Sequence, residues 1–277
     1  MIQNNYPLKN ITTIGLGGIC KEFICPSNLT DLQNIKVSKK KLFIGNGSNI
    51  CFITDFYDGT IVSLKRMSKV LSHDSKYIYC SSNVSCTKVA RYLHNNKISG
   101  FEYLYGIPGT LGGAIYMNAG AFDREILSDV HRIHLIDSNG KLYYLKGENI
   151  NYSYRASNID KKSIIIGVEL YNHAKPFSKY LLSDLSNKRK KSQPINQLSC
   201  GCIFKNPSGK FASKLIEDAK LKGERIGGIY ISRKHSNYFI NDGSGTYKEF
   251  LDLLNLVKRK VISVYDIELK EEVILIK

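Results

Sequence analysis

The chain has 277 residues, 43% of them apolar and 23% charged, the composition of an ordinary globular protein with room for two or three domains. Forty lysines and arginines against 24 acids leave a net charge of +16. Such a field draws polyanions, either a nucleic acid or small phosphorylated ligands, unless it reflects nothing more than a lysine-rich proteome. No apolar run approaches the ~20 residues of a spanning helix, and the opening MIQNNYPLKN lacks an apolar stretch of signal-peptide length, so neither a membrane span nor secretion is expected.

Taken in chain order, LFIG (42–45) and TIVSL (60–64) read as short buried strands, and KYIYCSS alternates as a third. Over 85–96 the spacing of Val89, Ala90 and Leu93 behind Ser85 predicts a capped helix. Strands follow at 130–136, 141–145 and 163–170, with SNG (138–140) as a hairpin turn. From 179 to 193 the chain is strongly basic and Pro194 ends the run, which marks a domain seam. That run is either a solvated helix face or a nucleic-acid patch. Beyond it, Phe211, Leu215, Ile216 and Ala219 line one amphipathic helix. Phe250, Leu253, Leu254, Val257, Val261 and Val264 line a longer one, and DIELKEEVILIK is strand-like.

Cys20, Cys25, Cys51, Cys80, Cys86, Cys200 and Cys202 are odd in number and irregularly spaced, the pattern of reduced thiols in a cytosol. Six scattered histidines and the absence of C-x-x-C leave little for zinc, and no metal is expected. The pair in SCGCIFKNP (199–207) is then a core strand that holds sulfur or a reactive thiol beside Lys205 and Asn206. Three glycine-rich stretches precede the seam: GLGG (15–18), GNGSN (45–49) and GIPGTLGGAIYMNAGA (106–121). Bare backbone amides of this kind cradle phosphate oxygens, but they also form tight turns between strands. GNGSNI is no dinucleotide fingerprint, because Ile50 stands where the third glycine belongs, and no Walker lysine is present.

KNITTIGLGG, IGNGSNI with FYDGTIV, GFEYLYGIPGTLGGAIYMNAGAFDREI, YSYRASN, QPINQLSCGCIFKNP, ASKLIEDAKLKGERIGGIYISRKHSNYFIN and LKEEVILI together resemble the UDP-N-acetylenolpyruvoylglucosamine reductase family, in order and from about residue 10 onward. The resemblance implies an α+β chain with an FAD-binding fold of the vanillyl-alcohol-oxidase type in two α/β subdomains, followed by an α/β substrate domain. On that reading residues 1–64 with the terminal strand at about 266–277 form the first subdomain, 65–175 the second, and 176–265 the substrate domain. The short stretch between Arg155 and Cys202 resembles the compact form of the family.

The cofactor implied is non-covalent FAD, embraced by Gly45, Asn46, Gly47, Ser48 and Asn49 and by Gly106, Ile107, Pro108, Gly109, Thr110, Gly112 and Gly113, with Asn118, Ala119, Gly120 and Ala121 lining it. The implied reaction uses NADPH to reduce an enolpyruvyl ether of a UDP-sugar to a lactyl ether, in a cytoplasmic protein of peptidoglycan synthesis. By resemblance Arg155 clamps the substrate carboxylate, Glu272 polarises the developing charge from a protonated or strongly hydrogen-bonded state, and Cys202 donates the proton to carbon. Glu271 ranks behind Glu272. Well-known members carry serine at the position of Cys202. Tyr154, Lys205 and Asn206 fall at the substrate, and a phosphate contact falls to Lys190 or Lys191, because Ser192 stands where relatives carry a longer polar residue. A monomer with no nucleic-acid or membrane partner is expected.

Two other readings remain. One is an FAD-dependent oxidase of the same superfamily acting on another small molecule. Such enzymes often bind flavin covalently near the glycine loops, yet no histidine lies in 106–121. The other is a basic nucleic-acid-binding protein, which needs aromatics interleaved with cations on a platform. The 18 tyrosines are instead scattered through strand-like segments.

Overall fold

The computed structural model describes residues 2–35, 40–173 and 175–277. Six helices carry labels below: α1 (Leu29–Gln33), α2 (Cys86–Asn95), α3 (Leu111–Tyr116), α4 (Leu181–Ser192), α5 (Ala212–Asp218) and α6 (Tyr247–Tyr265). The chain divides into two compact units. One comprises 1–3, 23–46 and 59–189; the other comprises 4–22, 47–58 and 190–277. α4 runs through the 189/190 division, within the segment read from sequence as a seam.

The first unit is built on a five-stranded sheet whose order is Leu142–Lys146, Val130–Ile136, Ile164–Tyr171, Tyr77–Ser81, Leu71–His73, with every neighbour antiparallel. The hairpin at its edge forms because Asp137 accepts hydrogen bonds from the Asn139 and Lys141 amides while Gly140 takes φ +82°. That conformation costs a glycine nothing. α2 begins where expected: the Ser85 hydroxyl accepts the Lys88 amide. Its Cys86, Val89, Ala90 and Leu93 are buried with Ile78, Leu111, Ile115, Ile133 and Val168. A second cluster joins Ile24, Leu32, Val62, Ile136 and Ile164, beside the parallel pairing of Lys41–Ile44 with Thr60–Ser63.

The second unit packs α5 and α6 on a small antiparallel sheet ordered Arg225–Ile226, Ile229–Ile231, Phe239–Asn241. α6 opens with a reciprocal capping box between Thr246 and Glu249. Phe250, Leu253, Leu254, Val257 and Val261 are buried as the stripe predicts. Val264 is not: it is 49% exposed, while the neighbouring Tyr265 packs against the core in its stead. Phe211 is likewise 69% exposed, since it precedes α5 as its N-cap and does not lie on its inner face. Ile274–Ile276 pairs in parallel with Ile50–Phe52, matching Ile274 to Ile50 and Ile276 to Phe52. Among the described residues no helix is long and apolar enough to cross a membrane.

Candidate active site

Each unit gathers part of the residues singled out by sequence, and each group is described within its own unit. In the first unit the glycine loops at 45–46 and 106–113 lie against one another. The Asn46 amide donates to the Pro108 carbonyl at 3.3 Å. A Cβ on residue 45 would sit 2.5 Å from the Thr110 hydroxyl, so only glycine lets the loops come this close. Thr110 caps α3 by accepting the Gly113 amide, and the Leu111 and Gly112 amides donate to the Val84 and Ser82 carbonyls. The loop is thus held largely by backbone bonds.

The far end of the same loop carries Arg155. Its Nη2 donates to the Gly120 carbonyl at 2.9 Å and its Nη1 to the Asn118 carbonyl at 3.3 Å. Glu125 lies 3.8 Å away, and the guanidinium stacks 4.8 Å from the centre of the half-exposed Tyr154 ring. Arg155 itself takes φ +55°, held there by the tight Ser153–Ala156 pairing around it. Asn118 does not line a surface as expected: it is 0% exposed. Its amide donates to Glu125 at 2.8 Å and to the Ser153 carbonyl at 3.0 Å, and its oxygen accepts the Leu127 amide. Asn118 therefore braces the segment that bears Arg155. Ala119 pairs with Ala114 and Ile126 through its backbone, and Gly120 and Ala121 form a two-residue ladder with Arg124 and Glu125. Neither Glu125 nor Asn118 as a brace was legible as such, because both acquire their roles from the turn at Phe122 and Asp123, each at positive φ.

In the second unit three segments distant in sequence converge. Gly47 accepts the Thr13 amide through its carbonyl. A Cβ on Gly201 would meet the Ser48 carbonyl oxygen at 3.6 Å, and the Asn49 side chain donates through Nδ2 to the Glu272 carbonyl at 3.0 Å. The Glu272 amide in turn donates to the Ile203 carbonyl at 2.8 Å, while Phe204 bridges Glu271. Cys202 and Glu272, the proton donor and polarising acid read from sequence, therefore stand on paired backbone beside the end of a glycine loop. Glu271 is drawn the other way into an ion pair with Lys258 at 2.9 Å.

Cys200 and Cys202 part in their surroundings. Gly201 at φ +77° breaks the alternation, so Cys200 is fully buried with Cys51, Ile203 and Phe204 while Cys202 is half-buried. Burial pushes the Cys200 thiol well above its ordinary pKa and the Cys51 thiol up to about 12, which makes both inert core groups. A residue missed by sequence reading, Asn237, fixes the strand that follows Cys202. It is buried, its carbonyl accepts the Ile203 amide, its Oδ1 accepts the Phe204 amide at 2.9 Å and its Nδ2 donates to the Phe204 carbonyl at 2.7 Å.

Among the polar residues assigned to substrate, Asn206 accepts the Ala212 amide at 3.0 Å and so holds the start of α5. The Lys205 amide donates to the Lys270 carbonyl, and exposed Lys190 accepts the Lys234 ammonium through its carbonyl. The turn carrying Asn237 also holds His235, whose Nδ1 accepts the Asn237 amide. Burial, reinforced by the Lys222 charge, lowers the His235 pKa below its ordinary 6.5. A histidine kept neutral by the fold supports stability fully above its unfolded pKa, and that support is lost as pH falls through about 6.5 and below. Urea midpoints measured from pH 7.5 to 5 are expected to fall for the native chain and to fall less steeply for His235→Gln. Parallel slopes would remove His235 from the account.

Residues 193–276 match the family model described as UDP-N-acetylenolpyruvoylglucosamine reductase, C-terminal domain, and residues 23–146 match that of an FAD binding domain. The UDP-N-acetylenolpyruvoylglucosamine reductase of Aquifex aeolicus is 37% identical over 286 residues, covering 100% of this chain and 96% of its own length. The chain belongs to the UDP-N-acetylenolpyruvoylglucosamine reductase family. The reductase of Fusobacterium nucleatum subsp. nucleatum is 30% identical over 279 residues, covering 100% of this chain and 99% of its own. The crystal structure of the reductase from Thermus caldophilus superimposes with a TM-score of 0.82 at 27% identity, over 100% of this chain and 98% of that one. The chain accordingly has the reductase fold with its FAD-binding domain. The residues present fit such a cofactor: the touching glycine loops at 45–46 and 106–113 offer bare backbone, with a cation, Arg189, bound to the Gly106 carbonyl.

Proposed function

We propose that Cys202, Arg155 and Glu272 are the groups through which this chain carries out its family's reaction. That reaction is the NADPH-dependent reduction of UDP-N-acetyl-enolpyruvylglucosamine to UDP-N-acetylmuramate in peptidoglycan precursor synthesis, with FAD as cofactor. The observation that carries the residue assignment is the backbone pairing of Ile203 with Glu272 beside Asn49.

FAD held by residues 45–49 and 106–113 would supply the hydride, drawn from NADPH, that adds to the vinyl carbon of the substrate. Negative charge then develops on the neighbouring carbon and spreads into the carboxylate. A guanidinium meets a carboxylate through two parallel N–H bonds, and Arg155 is held in advance by the Gly120 and Asn118 carbonyls. Preorganised charge of this kind needs no rearrangement as the reaction proceeds. With Glu271 taken by Lys258, Glu272 is the acid that polarises the developing charge, from a protonated or strongly hydrogen-bonded state. Cys202 holds the proton. A thiol with an ordinary pKa of about 8.5 stays protonated at neutral pH yet gives its proton up far more readily than a serine hydroxyl.

Gly45, Asn46, Gly47, Ser48 and Asn49 with residues 106–113 hold the flavin, and Lys205, Asn206, Tyr154 and Lys190 hold the sugar and diphosphate. The +16 charge then serves three anionic small molecules, with no nucleic acid involved. The protein acts as a cytoplasmic monomer, with 1–64 and 266–277, 65–175, and 176–265 dividing the work as flavin and substrate domains. Gel filtration and a filter-binding assay at physiological salt check the partner assignments.

The purified chain is expected to be yellow, with bands near ~370 and ~450 nm and a cofactor released by acid. NADPH bleaches it without oxygen, and the enolpyruvyl substrate restores the colour. A colourless chain, or colour that the substrate does not restore, overturns the reading. Gly45→Val, which drives a side chain into Thr110, is expected to be purified largely without flavin.

A further inference from the structure

Arg189 stands in a run of lysines that reads from sequence as a solvated helix face, yet it is only 6% exposed. Its Nη2 donates to the Tyr103 carbonyl at 3.2 Å and its Nη1 to the Gly106 carbonyl at 3.4 Å. Burying a guanidinium is costly unless its donors are met, so the position demands a return.

The return lies in the turn that leads into the glycine loop. Glu102–Leu104 is a single 3-10 turn, and the Glu102 and Leu104 carbonyls are taken by the Tyr105 and Ile107 amides. The Tyr103 and Gly106 carbonyls point out of that pattern, and the planar fork of Arg189 collects both. The Gly106 amide, for its part, donates to the Thr87 hydroxyl of α2 at 3.1 Å. Gly106 is therefore gripped at its nitrogen by one side chain and at its oxygen by another. Its φ of +84° admits little but glycine, and a Cβ there would meet the Arg189 stem at 2.7 Å. The guanidinium also lies 5.7 Å from the Phe122 ring centre, at the turn beyond α3.

We infer that Arg189, with Thr87, is a positioning residue for the cofactor: it sets the 106–110 loop in the shape that receives the dinucleotide before the dinucleotide arrives. The inference rests on the reading that this loop holds FAD. Arg189 touches no reacting atom. It supplies a preformed backbone, so its loss falls on cofactor affinity and leaves the chemistry of the loaded enzyme alone.

The test titrates FAD into deflavinated protein, following flavin fluorescence, for native chain, Arg189→Met, Arg189→Lys, Thr87→Val and Gly109→Val, each checked as folded by circular dichroism. Arg189→Met is expected to weaken FAD binding by about 10–100-fold, the usual cost of breaking hydrogen bonds to a charged group. Arg189→Lys keeps the charge but not the fork and is expected to rescue little. Thr87→Val removes one hydroxyl at constant size and is expected to weaken binding several-fold, which keeps the inference exposed should Arg189→Met fail to fold. At saturating FAD both half-reactions of the Arg189 and Thr87 variants return to near native rates.

Native FAD affinity in folded Arg189→Met and Thr87→Val overturns the inference. Full rescue by lysine does so too, since it would make Arg189 a source of charge alone. If Gly109→Val loses FAD while those variants keep it, the loop reading stands and only the role of Arg189 falls. If Gly109→Val also binds normally, both fall together.

Discussion

Cys202→Ala is expected to lose about 10²–10⁴-fold in turnover with the enolpyruvyl substrate, the range typical of a positioned proton donor. NADPH is expected to bleach its flavin at close to the native rate, because hydride enters the cofactor without a proton from residue 202. Cys202→Ser is expected to keep substantial activity, since a hydroxyl at the same place can deliver a proton to the same carbon. Anaerobic stopped-flow spectra separate the two half-reactions: substrate restores the flavin bands quickly in the native chain and the serine variant, and slowly or not at all in the alanine variant. Prompt recovery in Cys202→Ala would transfer the proton to another group. Cys200→Ala serves as the control. Its thiol is enclosed in the core and raised far out of the reactive range, so its loss is expected to cost stability and leave turnover near native.

Asn237→Ala is expected to be the more damaging change to the fold. The side chain copies a strand neighbour, serving both the amide and the carbonyl of Phe204 inside the core. Truncation leaves two enclosed backbone groups without those partners, each worth about 1–3 kcal/mol. The summed loss of about 2–6 kcal/mol is large against a typical folding free energy of about 5–15 kcal/mol. Chemical denaturation checks it, and Asn237→Asp, which keeps the acceptor for the Phe204 amide, is expected to recover part of the loss. Because Ile203 and Phe204 follow Cys202 directly, flavin reoxidation by substrate is expected to slow in any folded Asn237 variant. An alanine variant with native stability would show that water replaces the side chain.

Local elements were largely legible. The strands expected at 130–136 and 163–170 formed, a hydroxyl before an apolar stripe marked α2, and SNG at 138–140 marked the hairpin. What failed was the extent of stripes. Phe211 is the N-cap of its helix and Val264 gives way to Tyr265 at the core, and periodicity alone shows neither. The candidate site divided in the same way. The glycine content of 45–49 and 106–121 marked either tight turns or a phosphate cradle, and Gly45 and Gly106 prove to be points of close approach. The pairing of Ile203 with Glu272 depends on register between distant segments, which no local pattern encodes. Arg189 and Asn237 were hidden for a different reason. Each is a polar residue in a polar stretch, and only the carbonyls placed around it by the fold reveal that it is enclosed.

The parallel match of Ile274–Ile276 to Ile50–Phe52 also bears on how the protein is made. The earlier strand leaves the ribosome long before its partner is synthesised, and the unit it belongs to is assembled from three separate stretches of chain. Residues 59–189 carry their own five-stranded sheet, whereas the second unit must wait for its closing strand. Until then Cys51, Cys200 and the apolar face of α6 stand open to solvent, in an interval when oxidants or other nascent chains have access to them. The order of synthesis thus leaves the core of the second unit incomplete until the last residues emerge.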